Sequence, residues 1–211
     1  VSGWGLTEAP ILTMGASTDP SEKLARTEGR AMPGVELIAI KPDGKKAQAG
    51  EEGELRAKAP QLMLGYLDSQ LDDDAFDENG YFQTGDLGII DEDGYVVISG
   101  RLKDVIIRYG ENISAKEVED LLFQHPSIMD VAVIGLPDEV TGERACAVLS
   151  INKEAAPITI EEMQKYLDDA GLRRNAIPEQ LEIIELIPRN PSGKITKNVL
   201  KEEFKNSAFL R

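Results

Sequence analysis

Lys194 closes the run Pro191-Ser192-Gly193-Lys194. A lysine ammonium is a compact charge on a long stem, suited to steadying negative charge that builds up during a reaction. Asp86 follows Thr84-Gly85, and its carboxylate can accept two hydrogen bonds. Thr7 and Glu8 stand side by side. The hydroxyl can bond a phosphate oxygen, and the carboxylate suits Mg²⁺, which takes oxygen ligands and retains waters. Arg101 offers a fixed cation, with Lys103 two residues further on. Taken singly, each residue also has a plain structural reading. Trp4 reads as core and Thr7-Glu8 as a helix start. Asp86 reads as a turn aspartate and Arg101 as half of a surface ion pair. Lys103 reads as a linker residue, Gly110 as a turn, and Lys194 as a solvated loop lysine.

The background narrows the choice. The chain has 211 residues, 41% hydrophobic and 29% charged, which is enough apolar material for a real core. A formal net charge of −15 and the lack of a clustered basic footprint argue against nucleic acid and an anionic membrane surface as partners. Any site for an anionic ligand must therefore be locally basic. One cysteine, Cys146, excludes an intrachain disulfide, and its apolar run Ala145-Cys146-Ala147-Val148-Leu149 marks it as a buried thiol. The single histidine, His125, precedes Pro126 at a helix end, so neither a histidine-based triad nor a multi-histidine metal site is expected. No run is long and apolar enough for stable membrane insertion, and no signal peptide opens the chain, so a cytoplasmic location is expected.

These residues need elements to hold them. Up to residue 100 the chain is rich in turns and short strands, at 35–40, 54–58, 87–90 and 95–99, with Asp91-Glu92-Asp93-Gly94 as a hairpin turn. That spacing predicts a β-barrel-like or sandwich layer. Beyond residue 100 the pattern changes. Ser114 to Glu117 forms a capping box ahead of Val118, Leu121 and Leu122 at helical spacing, and Thr159 to Glu162 forms a second one ahead of a helix ending at Gly171. Strands at 130–134, 145–151 and 181–186 and a last helix at 197–204 complete a small α+β domain with a roughly three-stranded sheet and flanking helices. The expected fold class is thus mixed α/β, in two parts, 1–100 and 101–211. Val1-Ser2-Gly3-Trp4-Gly5 carries no initiator methionine and enters at once into a motif-like segment, so a further N-terminal part is expected to precede it.

Four segments, in order, resemble the adenylate-forming superfamily of acyl-CoA synthetases, peptide-synthetase adenylation domains and luciferases. They are Gly3-Trp4-Gly5-Leu6-Thr7-Glu8; Tyr81-Phe82-Gln83-Thr84-Gly85-Asp86-Leu87; Gly100-Arg101-Leu102-Lys103-Asp104 continuing to Gly110-Glu111-Asn112-Ile113 and Glu117-Val118-Glu119; and Pro188-Arg189-Asn190-Pro191-Ser192-Gly193-Lys194-Ile195. The match in order covers nearly the whole chain. It implies that residues 1–100 are the end of a large AMP-binding domain and 101–211 a C-terminal lid that rotates between two half-reactions. In the first, a carboxylic acid attacks ATP to give an acyl-adenylate; in the second, a thiol, usually of coenzyme A, displaces AMP.

The resemblance also assigns roles. Trp4 would lie beside adenine, Thr7 at the phosphates and Glu8 on Mg²⁺. Asp86 would bind ribose, with Arg101 at the ribose and phosphates. Lys103 would be the hinge, Gly110 and Glu111 the thioester loop that meets coenzyme A, and Lys194 the adenylation lysine. A fatty acid is the expected substrate. A carrier-protein-loading domain and a folded but non-catalytic binding module are the alternatives. Two departures accompany the match. The family's Ser/Thr/Gly phosphate loop and most of its acyl pocket are absent from these 211 residues, so the chain alone is expected to be inactive. Arg174-Asn175-Ala176-Ile177-Pro178 also stands where relatives carry a tyrosine-lysine pair before the proline.

Overall fold

The computed structural model describes residues 2–152 and 156–207. Val1, which opens the first motif-like segment, lies outside the described residues, as do the last four residues of the expected lid. The chain divides into two compact units, Val1–Lys103 and Asp104–Arg211. Among the described residues no helix is long and apolar enough to cross a membrane.

The first unit runs β1 (Gly3–Trp4), β2 (Thr13–Met14), α1 (Ser21–Arg26), β3 (Arg30–Ala31), β4 (Glu36–Ile40), β5 (Glu52–Lys58), α2 (Asp72–Ala75), β6 (Phe82–Ile90) and β7 (Val96–Arg101). The expected barrel-like layer takes the form of two antiparallel sheets. One has the order β1-β2-β3, the other is the meander β4-β5-β6-β7, and a bridge between Arg30 and Tyr95 joins them. Strand β5 shows why the meander has an inside. Gly53, Leu55 and Ala57 are buried while the residues between them are not, the period of two that a pleated strand imposes. Leu55 and Ala57 join Trp4, Ala9, Leu12, Ala39 and Val96 in one core. The hairpin at Asp91-Glu92-Asp93-Gly94 forms as expected. Asp91 Oδ1 accepts from Asp93 N and Tyr95 N, and Gly94 takes a positive φ.

The second unit runs β8 (Val105–Arg108), β9 (Glu111–Ser114), α3 (Ala115–Leu122), β10 (Ile128–Asp138), β11 (Gly142–Ile151), α4 (Ile160–Asp169), β12 (Gln180–Ile183) and α5 (Lys197–Phe204). Its sheet has five strands where about three were expected, in the order β10-β11-β8-β9 with β12 parallel to β11. The two extra strands are the hairpin β8-β9, whose connection is only Tyr109-Gly110. Both residues have φ > 0, at 51° and 77°, the backbone of a tight two-residue hairpin turn. A turn at Gly110 was readable, but tyrosine is an uncommon residue for that conformation, so the two-residue hairpin and its strands were not.

Strands β10 and β11 read as near-continuous apolar runs because both faces are covered. Val131, Val133, Ala145, Ala147 and Leu149 pack with residues of α3 and α4, while Ala132, Ile134, Leu136, Cys146 and Val148 pack with Ile187, Leu200 and Phe204. Cys146 is fully buried, and burial pushes its thiol up to about 12, so it is inert as a nucleophile. Both expected helix starts are seen. Ser114 Oγ accepts from Glu117 N, and Thr159 and Glu162 form a complete reciprocal box. α3 ends at Leu122, three residues short of the expected stop at His125-Pro126; His125 lies in the turn that follows, accepting from Ser127 N and packing edge-on against Tyr166.

Leu149 is fully enclosed on the central strand. Leu149→Ala should cost about 2–5 kcal/mol, whereas Val199→Ala on the exposed face of α5 should change stability by less than about 0.5 kcal/mol. Urea unfolding followed by far-UV circular dichroism checks this through the midpoints, and equal midpoints would contradict the placement of the core.

Candidate nucleotide site

In the first unit the site is built on a distortion of β6. Glu54 pairs with Leu87 and Arg56 with Gln83, so Leu55 alone faces Thr84, Gly85 and Asp86. Gly85 takes φ 68°, which a side chain would disfavour. Thr84 Oγ1 locks the bulge, donating to Leu55 O at 2.6 Å and accepting from Asp86 N at 3.1 Å. On the other side Leu87 pairs with Gly100 and Gly88 with Ile98, which leaves Ser99 as an extra residue in β7 and sets Asp86 directly opposite Arg101. Bulges of this kind re-aim a side chain at a cost in ladder pairing.

The result is a buried carboxylate gripped from two sides. Trp4 Nε1 donates to Asp86 Oδ2 at 2.8 Å, and Arg101 Nε stands 3.0 Å from Oδ1. The Asp86 side chain is 6% exposed and that of Arg101 45%, so the carboxylate sits inside and the guanidinium reaches outward. Trp4 is thus a core residue as well as a site residue. Its ring packs with Leu12 and Leu55, and the group it turns to the site is its N–H. Asp86 is thus not a solvated turn aspartate but a buried strand residue paired with an indole and a guanidinium.

Thr7 and Glu8 do not start a helix. They sit in a bend closed by Leu6 N to Ala9 O at 2.9 Å and Ala9 N to Leu6 O at 3.2 Å, with Thr7 exposed. Glu8 is tied to a segment that the sequence did not single out. Met63 N donates to Glu8 O at 2.8 Å, and the Tyr66 hydroxyl donates to Glu8 Oε1 at 2.9 Å. Burial, and then this bond, hold the Tyr66 phenol above its ordinary pKa, so it remains a donor.

Lys103 lies exposed in the 3-10 turn Leu102–Asp104, at the boundary between the units. In the second unit Gly110 tips the β8-β9 hairpin. Glu111 beside it accepts from Asn175 Nδ2, and Arg108 bonds Asn175 O and Glu179 Oε1. The departure Arg174-Asn175-Ala176-Ile177-Pro178 is therefore what holds the hairpin base. Lys194 is exposed, but its loop is not loose, contrary to what its glycine suggests. Asn190 Oδ1 accepts from Ser192 N, Ser192 Oγ and Lys194 N. Asn190 N donates to Lys194 O at 2.9 Å, Arg189 bonds Gly193 O, and the Arg189 guanidinium also pairs with Asp130. Asn-Pro followed by Ser-Gly was a readable signal for such an Asx-type turn. Thr84 was readable in the same way from Thr-Gly-Asp. Tyr66 carried no local signal.

Trp4→Phe keeps an aromatic ring but deletes the five-membered ring with its N–H donor, leaving a small void and Asp86 short of one partner inside the fold. A loss of about 1–3 kcal/mol is expected. Arg101→Lys, at a half-exposed position, should cost less. Denaturant midpoints by circular dichroism check the order of the two, and a neutral Trp4→Phe would contradict the grip on Asp86.

Two family models match the chain: the AMP-binding enzyme model over residues 1–67 and the AMP-binding enzyme C-terminal domain over residues 117–194. The chain is 38% identical over 204 residues to the medium-chain fatty-acid–CoA ligase of Escherichia coli K12, covering 96% of this chain and 36% of that protein. It is 40% identical over 184 residues to the salicyl-AMP ligase / salicyl-S-ArCP synthetase of Mycobacterium tuberculosis, covering 86% and 32% respectively. ATP-bound MatB from Rhodopseudomonas palustris superposes with a TM-score of 0.87 at 33% identity, over 97% of this chain and 40% of that one. The chain thus spans about a third of the length of these curated relatives. Matched by both family models in chain order, and folded like a solved ATP-bound member, the chain belongs to the family of AMP-binding, adenylate-forming enzymes.

Proposed function

We propose that the full-length protein is an ATP-dependent acid–thiol ligase that converts a carboxylic acid to its acyl-adenylate and then to a coenzyme A thioester. The observation that carries this is the buried Asp86 carboxylate, lifted by the β6 bulge and held by Trp4 and Arg101. A fixed carboxylate with lone pairs to spare suits the two ribose hydroxyls, and Arg101, reaching outward from it, suits the adjoining phosphate. Thr7, exposed at its bend, has a hydroxyl free to bond a phosphate oxygen. The 38% identity to a medium-chain fatty-acid–CoA ligase favours a fatty acid as substrate.

Mg²⁺ fits the Glu8 position. Among the described residues no group of three or more His, Cys, Asp or Glu side chains is placed to hold a metal. One carboxylate whose second oxygen has no partner there matches an ion that takes most of its ligands from phosphates and water. When bound, it would neutralise charge on the phosphates. Lys194 would do the same for the oxygens of the reacting carboxylate and α-phosphate, from a loop whose backbone is already ordered. Residues 104–211 would act as the lid, Lys103 as its pivot, and Gly110 and Glu111 as the turn that meets the thiol substrate in the second step.

The carrier-protein-loading reading has its own support in the 40% identity to a salicyl-AMP ligase / salicyl-S-ArCP synthetase. Offering ATP, Mg²⁺ and a panel of fatty and aryl acids to the full-length protein, with coenzyme A or a carrier protein as acceptor, separates the two. Thioester on coenzyme A is expected; thioester on the carrier alone would reverse the order. Lys194→Ala should slow adenylation by about 10²–10³-fold, the loss typical for one electrostatic stabiliser, while thioester formation from preformed acyl-adenylate continues. Equal loss of both steps would remove that role. Lys103→Pro, which fixes φ at the pivot, should slow one half-reaction by at least about tenfold more than the other. Single-turnover rates unchanged in both would refute the hinge.

A further inference from the structure

Glu8 sits in a bend only four residues wide, which on its own would leave a long carboxylate side chain free to swing. What restrains it comes from 58 positions away. The segment ending at Tyr66 is clipped to the bend twice, through Met63 N to Glu8 O and through the phenol to Oε1. The segment is itself anchored from its other end. Asp72, the first residue of α2, accepts from Tyr66 N at 2.9 Å through Oδ1, and its Oδ2 packs so close to Gly65 that a Cβ there would lie 2.7 Å away. The order of restraint therefore runs from α2 through Asp72 and the Tyr66 backbone to the phenol, and from there to one of the two Glu8 oxygens. The other oxygen is left unpaired among the described residues.

We propose that Tyr66 is a positioning residue: its hydroxyl occupies Glu8 Oε1 and so presents Oε2, in a single orientation, to the divalent ion that accompanies the nucleotide. This rests on the reading of Glu8 as the carboxylate that meets Mg²⁺. A ligand locked by a second hydrogen bond binds its ion without first losing rotamer freedom, which is why such outer partners affect metal affinity. Tyr66 touches neither the ion nor the reacting atoms and acts only through Glu8.

The test uses the full-length protein with a non-hydrolysable ATP analogue and Mn²⁺ as the probe ion, bound Mn²⁺ being read by electron paramagnetic resonance. Tyr66→Phe, which removes one oxygen and keeps the ring, should raise half-saturating Mn²⁺ by about ten- to a hundredfold, the usual effect of losing the outer partner of a metal ligand. Affinity for the analogue without metal should be unchanged, as should the KM for the acid. Glu8→Gln should also raise half-saturating Mn²⁺. The Glu8→Gln/Tyr66→Phe double variant should match Glu8→Gln alone, because an amide whose oxygen accepts from Tyr66 has no second oxygen to present to the ion. Wild-type Mn²⁺ binding in Tyr66→Phe beside a shifted Glu8→Gln would overturn the role of Tyr66 and leave Glu8 as the metal carboxylate. Additive losses in the double variant would also overturn it, since Tyr66 would then act elsewhere. A Glu8→Gln variant that binds Mn²⁺ like wild type would overturn the reading of Glu8 itself.

Discussion

A carboxylate taken out of water needs partners for both oxygens, and Asp86 finds them in an indole N–H and a guanidinium. Much of the first unit can be understood from that requirement. β1 must lie where Trp4 reaches the bulge, and Thr13 serves this by accepting from Trp4 N and donating to Glu28 O. β7 must carry an extra residue so that Arg101 falls opposite Asp86, and β6 must give up regular pairing with β5 at Thr84 to Asp86. The irregularities concentrate in one place, and that place holds the charge.

The second unit solves a different problem. Its central strands are covered on both faces, so almost nothing on them is available for chemistry. The exposed residues proposed for the site in this unit are on two connections, the Tyr109-Gly110 turn and the loop ending at Lys194. Each is stiffened by side-chain bonds within the same unit: Arg108, Asn175 and Glu179 at the first, and at the second the loop's own Asn190 and Arg189, with Asp130 from β10. Sites on loops lose precision unless their supports are rigid, and these loops have such supports.

The elements that depend on local rules were legible in the sequence. The Thr159–Glu162 box, the Asp91–Gly94 hairpin and the buried Cys146 follow from capping, turn chemistry and apolar runs, which operate within a few residues. The β8-β9 hairpin was missed because its turn uses a tyrosine at positive φ, so its two strands did not count towards the sheet. Of the site, Trp4, Asp86 and Arg101 were picked out separately, yet their convergence depends on two register shifts that no pattern of residue types announces. Tyr66 was invisible for the same reason. Its importance comes from a contact with Glu8 across most of the first unit, and long-range pairing leaves no periodic trace.

The indole that holds Asp86 is also the chain's single tryptophan, while the five tyrosines divide between the units, with Tyr109 and Tyr166 in the second. Intrinsic emission is therefore partitioned along the chain. Long-wavelength fluorescence reports only on the first unit, from an emitter in direct hydrogen-bond contact with the group proposed to hold ribose. The second unit is dark at those wavelengths and contributes through its tyrosines alone. These 211 residues thus carry a built-in optical label that distinguishes melting of one unit from melting of the other, without any added dye.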